Sequence, residues 1–571
     1  MWAGTIFGMD TDTPQGMNEQ RVVVIGGVAG GMSTATRLRR LEPGTTIVVL
    51  ERSGHVSYAN CGLPYYAGGV IEDRDELLLQ TPERLHDRFR LDVRVHSEVT
   101  AIDTAARTVH VRRTDTGEEY QEPYDTLVLS TGAAPFVPEL PGVERALTLR
   151  TVEDVDRITA SLAGARSAVI VGGGFIGVEL AENLRHRGLA VALVELADQV
   201  LPPFDPELAT LISDELTVHG IDVRLGTALS AVGDRDVTLT DGSVLAADLV
   251  VLAIGVRPDT RLAVAAGLTI GARGGIVVDD QLRTSDPHVY AVGDATEKVD
   301  VLTGDQTLVP LANLANRQGR RAADAIAGRV SSFGPAQGTA IVKVFSLVAA
   351  TTGTGEKRLR AAGHDYRVIH THPGSHAGYY PGAQTMALKL LVDAATDRIL
   401  GAQAVGHEGV DKRIDVLATA IATGMTASDL ADLELAYAPP FGSAKDPVNM
   451  LGYIAENLRD GLIDTIQWYD LTPVRDDDFL VVDVRTAAEH TRGAVPGSVN
   501  IPVDELRERR AELGAPGARH VVVYCEVGQR AHTAATLLSG LGYTVRSIDG
   551  GWKTWRAGQR SVRSELLGSG R

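Results

Sequence analysis

The chain is poor in cysteine: 571 residues contain only Cys61 and Cys525. Two thiols supply neither a disulfide framework nor a zinc site, which points to a reducing compartment. Long apolar runs are missing as well. No stretch of about 18 apolar residues occurs, so no membrane span is expected. Basic charge is in deficit, with 55 Lys+Arg against 73 Asp+Glu and a formal net charge of −18. That sign argues against nucleic acid as a general partner, because phosphate binding needs cations, but it leaves room for a local basic pocket. The first 20 residues lack the charged start, apolar middle and small-residue cleavage site of a signal peptide, and are expected to be a disordered lead. What remains is ordinary globular composition in a chain too long for one core. The expectation is a cytoplasmic, multi-domain protein.

Two stretches read as nucleotide-binding turns. Arg21-Val22-Val23-Val24-Ile25 is a short apolar run, as a buried parallel strand should be, and it opens into Gly26-Gly27-Val28-Ala29-Gly30-Gly31 and a helical pattern through Leu41. Glycines allow a tight turn and let a pyrophosphate approach the helix N-terminus. Gly26 and Gly31 fit the G-x-G-x-x-G spacing, with Gly30 beside them, but Val28 replaces the middle glycine. A second strand, Thr46 to Leu50, ends in Glu51, an acid placed to accept hydrogen bonds from a ribose. Arg37 and Arg40 share one face of the first helix, which alone reads as a solvated face. The pattern returns at Ser167 to Val171, now with complete spacing at Gly172, Gly174 and Gly177, and the next strand ends in Glu195. An acid there favours a free ribose 2′-OH, hence NADH over NADPH, although NADPH stays open. Two further apolar strands end in small residues, Ser130-Thr131-Gly132 and Ala253-Ile254-Gly255, where chain can cross between domains near a nucleotide. A strand ending in Gly293-Asp294 offers an acid to a cofactor's ribityl chain.

In this order the pieces resemble the two-dinucleotide flavoprotein disulfide-reductase superfamily. The resemblance implies an α/β fold: two nested Rossmann-like domains, an α+β dimerisation domain, FAD in the first fold and NAD(P)H in the inserted one. The expected boundaries are 21–140 with 274–340 for FAD, 141–273 for NAD(P), and 341–460 for dimerisation, which implies a homodimer.

Most members keep a second cysteine five residues after the first, but Tyr66 stands there. Cys61 must therefore work as a lone thiol: a thiolate attacking sulfur, a sulfenic acid, or a mixed disulfide. Its surroundings, Ser57-Tyr58-Ala59-Asn60-Cys61-Gly62-Leu63-Pro64-Tyr65, resemble those of the coenzyme A-disulfide reductases, a single-cysteine branch. So do Tyr379-Tyr380-Pro381-Gly382-Ala383 and Tyr437-Ala438-Pro439-Pro440. The resemblance implies that Tyr437, and Tyr379 or Tyr380, reach across the dimer to the thiol. It also turns Arg37, Arg40, Ser57 and Asn60 into candidate ligands of coenzyme A.

After a linker expected at 461–471, a buried strand Phe479 to Arg485 is followed, beyond Pro502, by a charged helix. Strand His520 to Tyr524 then delivers Cys525-Glu526-Val527-Gly528-Gln529-Arg530 into a helix. A thiol at a strand-to-helix turn faces backbone N–H groups and the positive helix end, which favours thiolate and would hold a persulfide. This stretch resembles a rhodanese domain over 472–560, including Asp549-Gly550-Gly551-Trp552, with 561–571 as a tail. Glu526 places negative charge beside the thiol, which favours a persulfide or polysulfide over thiosulfate as sulfur donor. The combined expectation is NAD(P)H-driven, FAD-dependent reduction of coenzyme A disulfide, persulfide or polysulfide, with catalytic Cys61, Cys525, Tyr437 and Tyr379 and no metal. The rivals are an NADH oxidase or peroxidase cycling through a sulfenic acid, a rhodanese-based sulfur carrier, and a flavoprotein passing electrons to another protein.

Overall fold

A computed structural model describes residues 20–330, 332–471 and 479–568. The expected lead falls at residues 1–19 outside the described residues, as does 472–478, where the last domain was expected to begin.

Apolar runs such as Val22-Val23-Val24, each 0% exposed, form central parallel strands because helices and loops cover both faces of such sheets. In the first sheet, Arg21–Ile25 lies between Thr46–Leu50 and Thr126–Leu129, with Val289–Ala291 and Asp92–Arg94 outside them, all parallel. Val289–Ala291 returns to this sheet after the second nucleotide fold, so that fold is an insertion in the first. Its sheet is also parallel: Asp222–Arg224, Ala190–Val194, Ser167–Val171, Leu249–Leu252 and Leu147–Thr148. In both sheets the glycine turn leaves the central strand where neighbouring strands diverge, the crevice in which open α/β sheets bind ligands.

Two glycines are required by close packing. A Cβ on Gly31 would lie 1.9 Å from the Gly26 carbonyl oxygen, and one on Gly177 would lie 1.9 Å from that of Gly172. Only hydrogen at these positions lets each helix start directly on its strand end.

The third unit is an antiparallel sheet ordered Ala340–Val344, Leu347–Gly353, Ile399–Gly406, Ala387–Asp393, Tyr366–Thr371. Helices Val410–Thr423 and Pro447–Arg459 contribute to its apolar core. The fourth is a parallel sheet ordered Thr465–Ile466, Val545–Ile548, His520–Tyr524, Phe479–Asp483, Val499–Asn500.

Three expectations are corrected. The stretch 461–471 is more than a linker: Thr465–Ile466 pairs with Val545–Ile548 as an edge strand, and Trp468 and Leu471 are buried. Two residues of strand are too short for any period to show. The segment beyond 560 is not a separate tail either, since the helix Gly551–Gly568 runs through it. The expected charged helix after Pro502 is three short turns, Val503–Glu505, Leu506–Arg509 and Arg510–Leu513.

Candidate active sites

One cavity of about 1650 Å³ reaches both glycine turns and the first thiol. Its wall includes Gly26 and Gly30 from one turn, Gly172 and Gly174 from the other, and Asn60, Cys61, Thr131, Gly132 and Asp294. Gly26 and Gly172 both adopt left-handed backbone, at φ +102° and +109°, which turns chain away from the strand and bares the wall. A Cβ on Gly174 would meet nothing within 4 Å, so that glycine leaves open space where a phosphate group can approach.

The two strand-end acids are held alike. Glu51 accepts hydrogen bonds from the backbone N–H of Gly27 at 2.8 Å and Ser53 at 2.9 Å. Glu195 accepts from Gly173 at 2.6 Å and Ala197 at 2.8 Å. Each carboxylate is thereby fixed at the cavity rim, the place of a ribose in such folds. Thr131 uses its hydroxyl on the Asp259 carbonyl, 2.6 Å away, which clamps the crossover between the two nucleotide folds.

Cys61 is the middle residue of the short helical stretch Asn60–Gly62 that leads into the helix Leu63–Gly68. Burial pushes its thiol pKa up, and the carboxylates of Glu179 and Asp294 push it further. Cys61 is therefore a resting thiol rather than a standing thiolate, and negative charge nearby opposes its ionisation.

Two wall residues carried no motif signal. Arg150 is partly buried, donates to the Thr131 carbonyl at 3.1 Å, and has no carboxylate within ion-pair distance among the described residues. It is a cation aimed into the nucleotide cavity, the donor chemistry a pyrophosphate requires. Glu179 lies one turn into the helix Phe175–His186 and accepts a hydrogen bond from the Tyr65 hydroxyl at 3.1 Å. Burial pushes its carboxyl up to about 7 despite that bond, and the like charge of Glu182 adds to the shift. Their only sequence signal was position: Glu179 follows Gly177 by two residues, and Tyr65 follows Cys61 by one helical turn.

The remaining candidates lie off this wall. Ser57 holds φ +47° and donates its N–H to the Gly27 carbonyl. Arg37 is paired with Asp324 on the helix Ala312–Ile326 at 2.8 Å, whereas Arg40 is exposed. Tyr379 and Tyr437 are exposed and share a hydroxyl–hydroxyl hydrogen bond of 2.9 Å. Neither lines the cavity of its own chain. With Tyr380 and Phe441 they make an outward aromatic surface.

At the second thiol, the Gly528 N–H donates to Cys525 Sγ at 3.2 Å, just ahead of the helix Gln529–Gly540. The loop's charges are internally neutralised. Arg485 bridges Asp483 and Glu526, the latter at 2.9 Å, and Arg530 forks onto Glu489 at 2.8 and 2.6 Å. The thiol is 0% exposed.

This arrangement of folds matches known families along most of the chain. The pyridine nucleotide-disulphide oxidoreductase family model matches residues 20–319, its dimerisation domain matches 339–447, and a rhodanese-like domain matches 470–558. The chain belongs to the pyridine nucleotide-disulphide oxidoreductase family. Coenzyme A disulfide reductase of Staphylococcus aureus strain JH9 is 35% identical over 441 residues, covering 76% of this chain and all of that protein. Among solved structures, reduced CoADR-RHD of Bacillus anthracis superposes with TM-score 0.93 at 46% identity, over 95% of this chain and 99% of that one. An NAD-dependent persulfide reductase from A. fulgidus superposes with TM-score 0.88 at 37% identity, over 94% of this chain and all of that one. The chain is thus a flavin-dependent oxidoreductase with a C-terminal rhodanese domain, of a family that uses FAD and NAD(P)H. The cavity fits that pair: two glycine turns, two strand-end acids and a partly buried cation line one continuous space. The dimerisation domain fits a homodimer. No described helix is long and apolar enough to cross a membrane.

Proposed function

We propose that the protein reduces coenzyme A disulfide, coenzyme A persulfide or polysulfide at Cys61 with electrons from NADH, while Cys525 handles sulfane sulfur. The single observation that carries this reading is the lone thiol. Cys61 stands on the cavity shared by both nucleotide turns, and the other cysteine lies buried in a different sheet. A thiol without a local partner exchanges with sulfur brought to it.

Bound FAD and NADH supply the electron pair. Cys61 gives up its proton as its sulfur attacks one sulfur of coenzyme A disulfide, forming a mixed disulfide with the protein, and the expelled coenzyme A thiolate takes up a proton in its place. Two electrons and two protons, the equivalent of NADH and H⁺, then free the Cys61 thiol and the second coenzyme A thiol, so disulfide, NADH and H⁺ give two thiols and NAD⁺. Coenzyme A persulfide gives thiol and hydrogen sulfide by the same balance. Cys525 carries sulfane sulfur as a persulfide held by the Gly528 N–H. Tyr437 and Tyr379, outward on their own chain, serve the thiol of the second copy, where a phenol protonates a departing thiolate. Arg40, Ser57 and Asn60 hold coenzyme A, and Arg37 contributes what its pairing with Asp324 leaves free. The NADH preference rests on Glu195 at its strand end, an acid suited to a free ribose 2′-OH, and on Arg224, on the adjoining strand, being paired with Asp222.

The test is NADH consumption by purified protein with coenzyme A disulfide or persulfide. Cys61→Ser should lose at least about 100-fold. Rapid oxygen consumption without any disulfide would favour the oxidase reading instead. Coenzyme A released from denatured protein by reductant would place it directly on Cys61.

A further inference from the structure

A buried ion network ties the C-terminal domain to the other two folds it touches. On the strand Tyr366–Thr371, His370 is 4% exposed. Its backbone N–H donates to both carboxylate oxygens of Asp549 at 3.0 Å, and its ring Nδ1–H donates to one of them at 2.7 Å. The other ring nitrogen donates to Glu207 at 3.0 Å, on the helix Pro206–Val218 of the second nucleotide fold. Gln467 adds a third donor to Asp549 at 3.1 Å. Behind Glu207, Lys389 is 0% exposed and meets Asp205, Glu207 and Glu356 at 2.9, 2.6 and 2.5 Å. Glu356 also holds Tyr469, Tyr366 and Arg360. Two residues further on, His372 bonds Thr554 at 2.8 Å, near Lys553.

Asp549 immediately precedes the turn that supports the Cys525 loop. Gly550 and Gly551 follow at φ +66° and +65°. A Cβ on Gly551 would sit 2.5 Å from the Cys525 carbonyl oxygen. The next two residues donate backbone N–H bonds back into the loop, Trp552 to the Cys525 carbonyl at 2.8 Å and Lys553 to the Glu526 carbonyl at 3.1 Å.

We propose that His370 and Asp549 form an interdomain latch that positions the Cys525 loop, so that the sulfur site keeps its closed shape only while its domain is docked on the dimerisation fold. His370 is a positioning residue: it touches neither thiol and acts through Asp549 and the double-glycine turn. Burial works against its positive charge, but the facing Asp549 and Glu207 carboxylates outweigh it and raise its pKa to about 9, with Lys389 opposing them. His370 is therefore charged at neutral pH, and the latch weakens as pH rises through about 9. It holds whichever sulfur compound the enzyme reduces.

The test uses the full-length flavoprotein in a Cys61→Ser background, which leaves Cys525 as the single thiol. Its alkylation by iodoacetamide is followed by mass spectrometry from pH 6 to 10. With the latch closed, the buried thiol should react slowly at pH 7, and its rate should gain an extra step near pH 9 beyond the ordinary thiolate rise. In Asp549→Asn the rate at pH 7 should increase at least 10-fold and the step should vanish, with bound flavin unchanged. An unchanged rate, or a step that persists in the variant, overturns the proposal. Should Asp549→Asn not fold, hydrogen exchange of the unsubstituted chain decides. Between pH 8 and 10, after correction for intrinsic exchange, the Trp552 and Lys553 amides should lose at least 10-fold more protection than that of Met32. Equal losses overturn the latch.

Discussion

Replacing Gly177 by alanine separates packing from ligand contact in the second nucleotide turn. The added Cβ would stand 1.9 Å from the Gly172 oxygen, whereas real carbon–oxygen contacts need about 3 Å or more. The helix Phe175–His186 must therefore retreat by about 1 Å from the strand end. Overpacking of this kind costs about 1–3 kcal/mol. A shift of about 1 Å in a positioning element can cost on the order of 100-fold in rate. Gly174→Ala is the control, because its Cβ meets nothing within 4 Å and intrudes only on the space left for a nucleotide. Stopped-flow reduction of the flavin by NADH, with thermal melting alongside, reads both. Gly177→Ala should melt several degrees lower and reduce its flavin about 100-fold more slowly while retaining FAD. Gly174→Ala should melt normally and bind NADH more weakly. The reasoning fails if Gly177→Ala reduces its flavin at the unsubstituted rate, or if both variants lose the same stability.

Gly31→Ala, with the same 1.9 Å clash against Gly26, should instead purify with little flavin, read from its visible absorbance. Arg150→Met should also weaken flavin retention, by about 10-fold in dissociation constant, since a charge-assisted hydrogen bond contributes about 1.5–3 kcal/mol; unaltered retention would remove Arg150 from the cofactor site. Glu179 ionises near pH 7 in the fold against an ordinary 4.5, so its stability cost appears as pH rises from 4.5 to 7 and persists above. In the flavin-free chain Glu179→Gln should thus raise the melting temperature at pH 8, by up to about 3 kcal/mol in stability, and leave it nearly unchanged at pH 4.5. Lys389→Met should destabilise by about 3–5 kcal/mol, because three buried carboxylates lose their common cation; a melting temperature within a degree of the parent would contradict that.

Much of the fold was legible because parallel strands buried on both faces are continuous apolar runs. Ser167–Val171, Ala190–Val194 and His520–Tyr524 have the ends their hydrophobic patterns suggest. The glycine turns were legible even with Val28 in the middle position, since Gly26 and Gly31 answer a local steric demand. Thr465–Ile466 was hidden because its partner strand lies 80 residues further on and two residues have no period.

The candidate site divides in the same way. Glu51, Glu195 and Asp294 could be named because each ends a strand that the local pattern marks; Cys61 stood out as one of two cysteines, and Asn60 followed only from the resemblance of the surrounding nonapeptide. Arg150 and Glu179 could not, since nothing in their neighbours says which way their helices or crossovers face. Nor could the pairing of Arg37 with Asp324 be seen, which withdraws much of one expected phosphate ligand.

The sequence by itself determined two nucleotide turns, one thiol near the first and another at a strand-to-helix turn. Each follows from steric and periodic rules acting over a few residues. Only the tertiary structure decided how those thiols are tuned. Burial and, after it, two carboxylates from distant segments push the Cys61 thiol pKa up, Arg485 and Glu489 neutralise charges in the Cys525 loop, and His370 meets Asp549 across a domain boundary. Electrostatic effects depend on burial and on distances between groups far apart in the chain, and no local pattern encodes those.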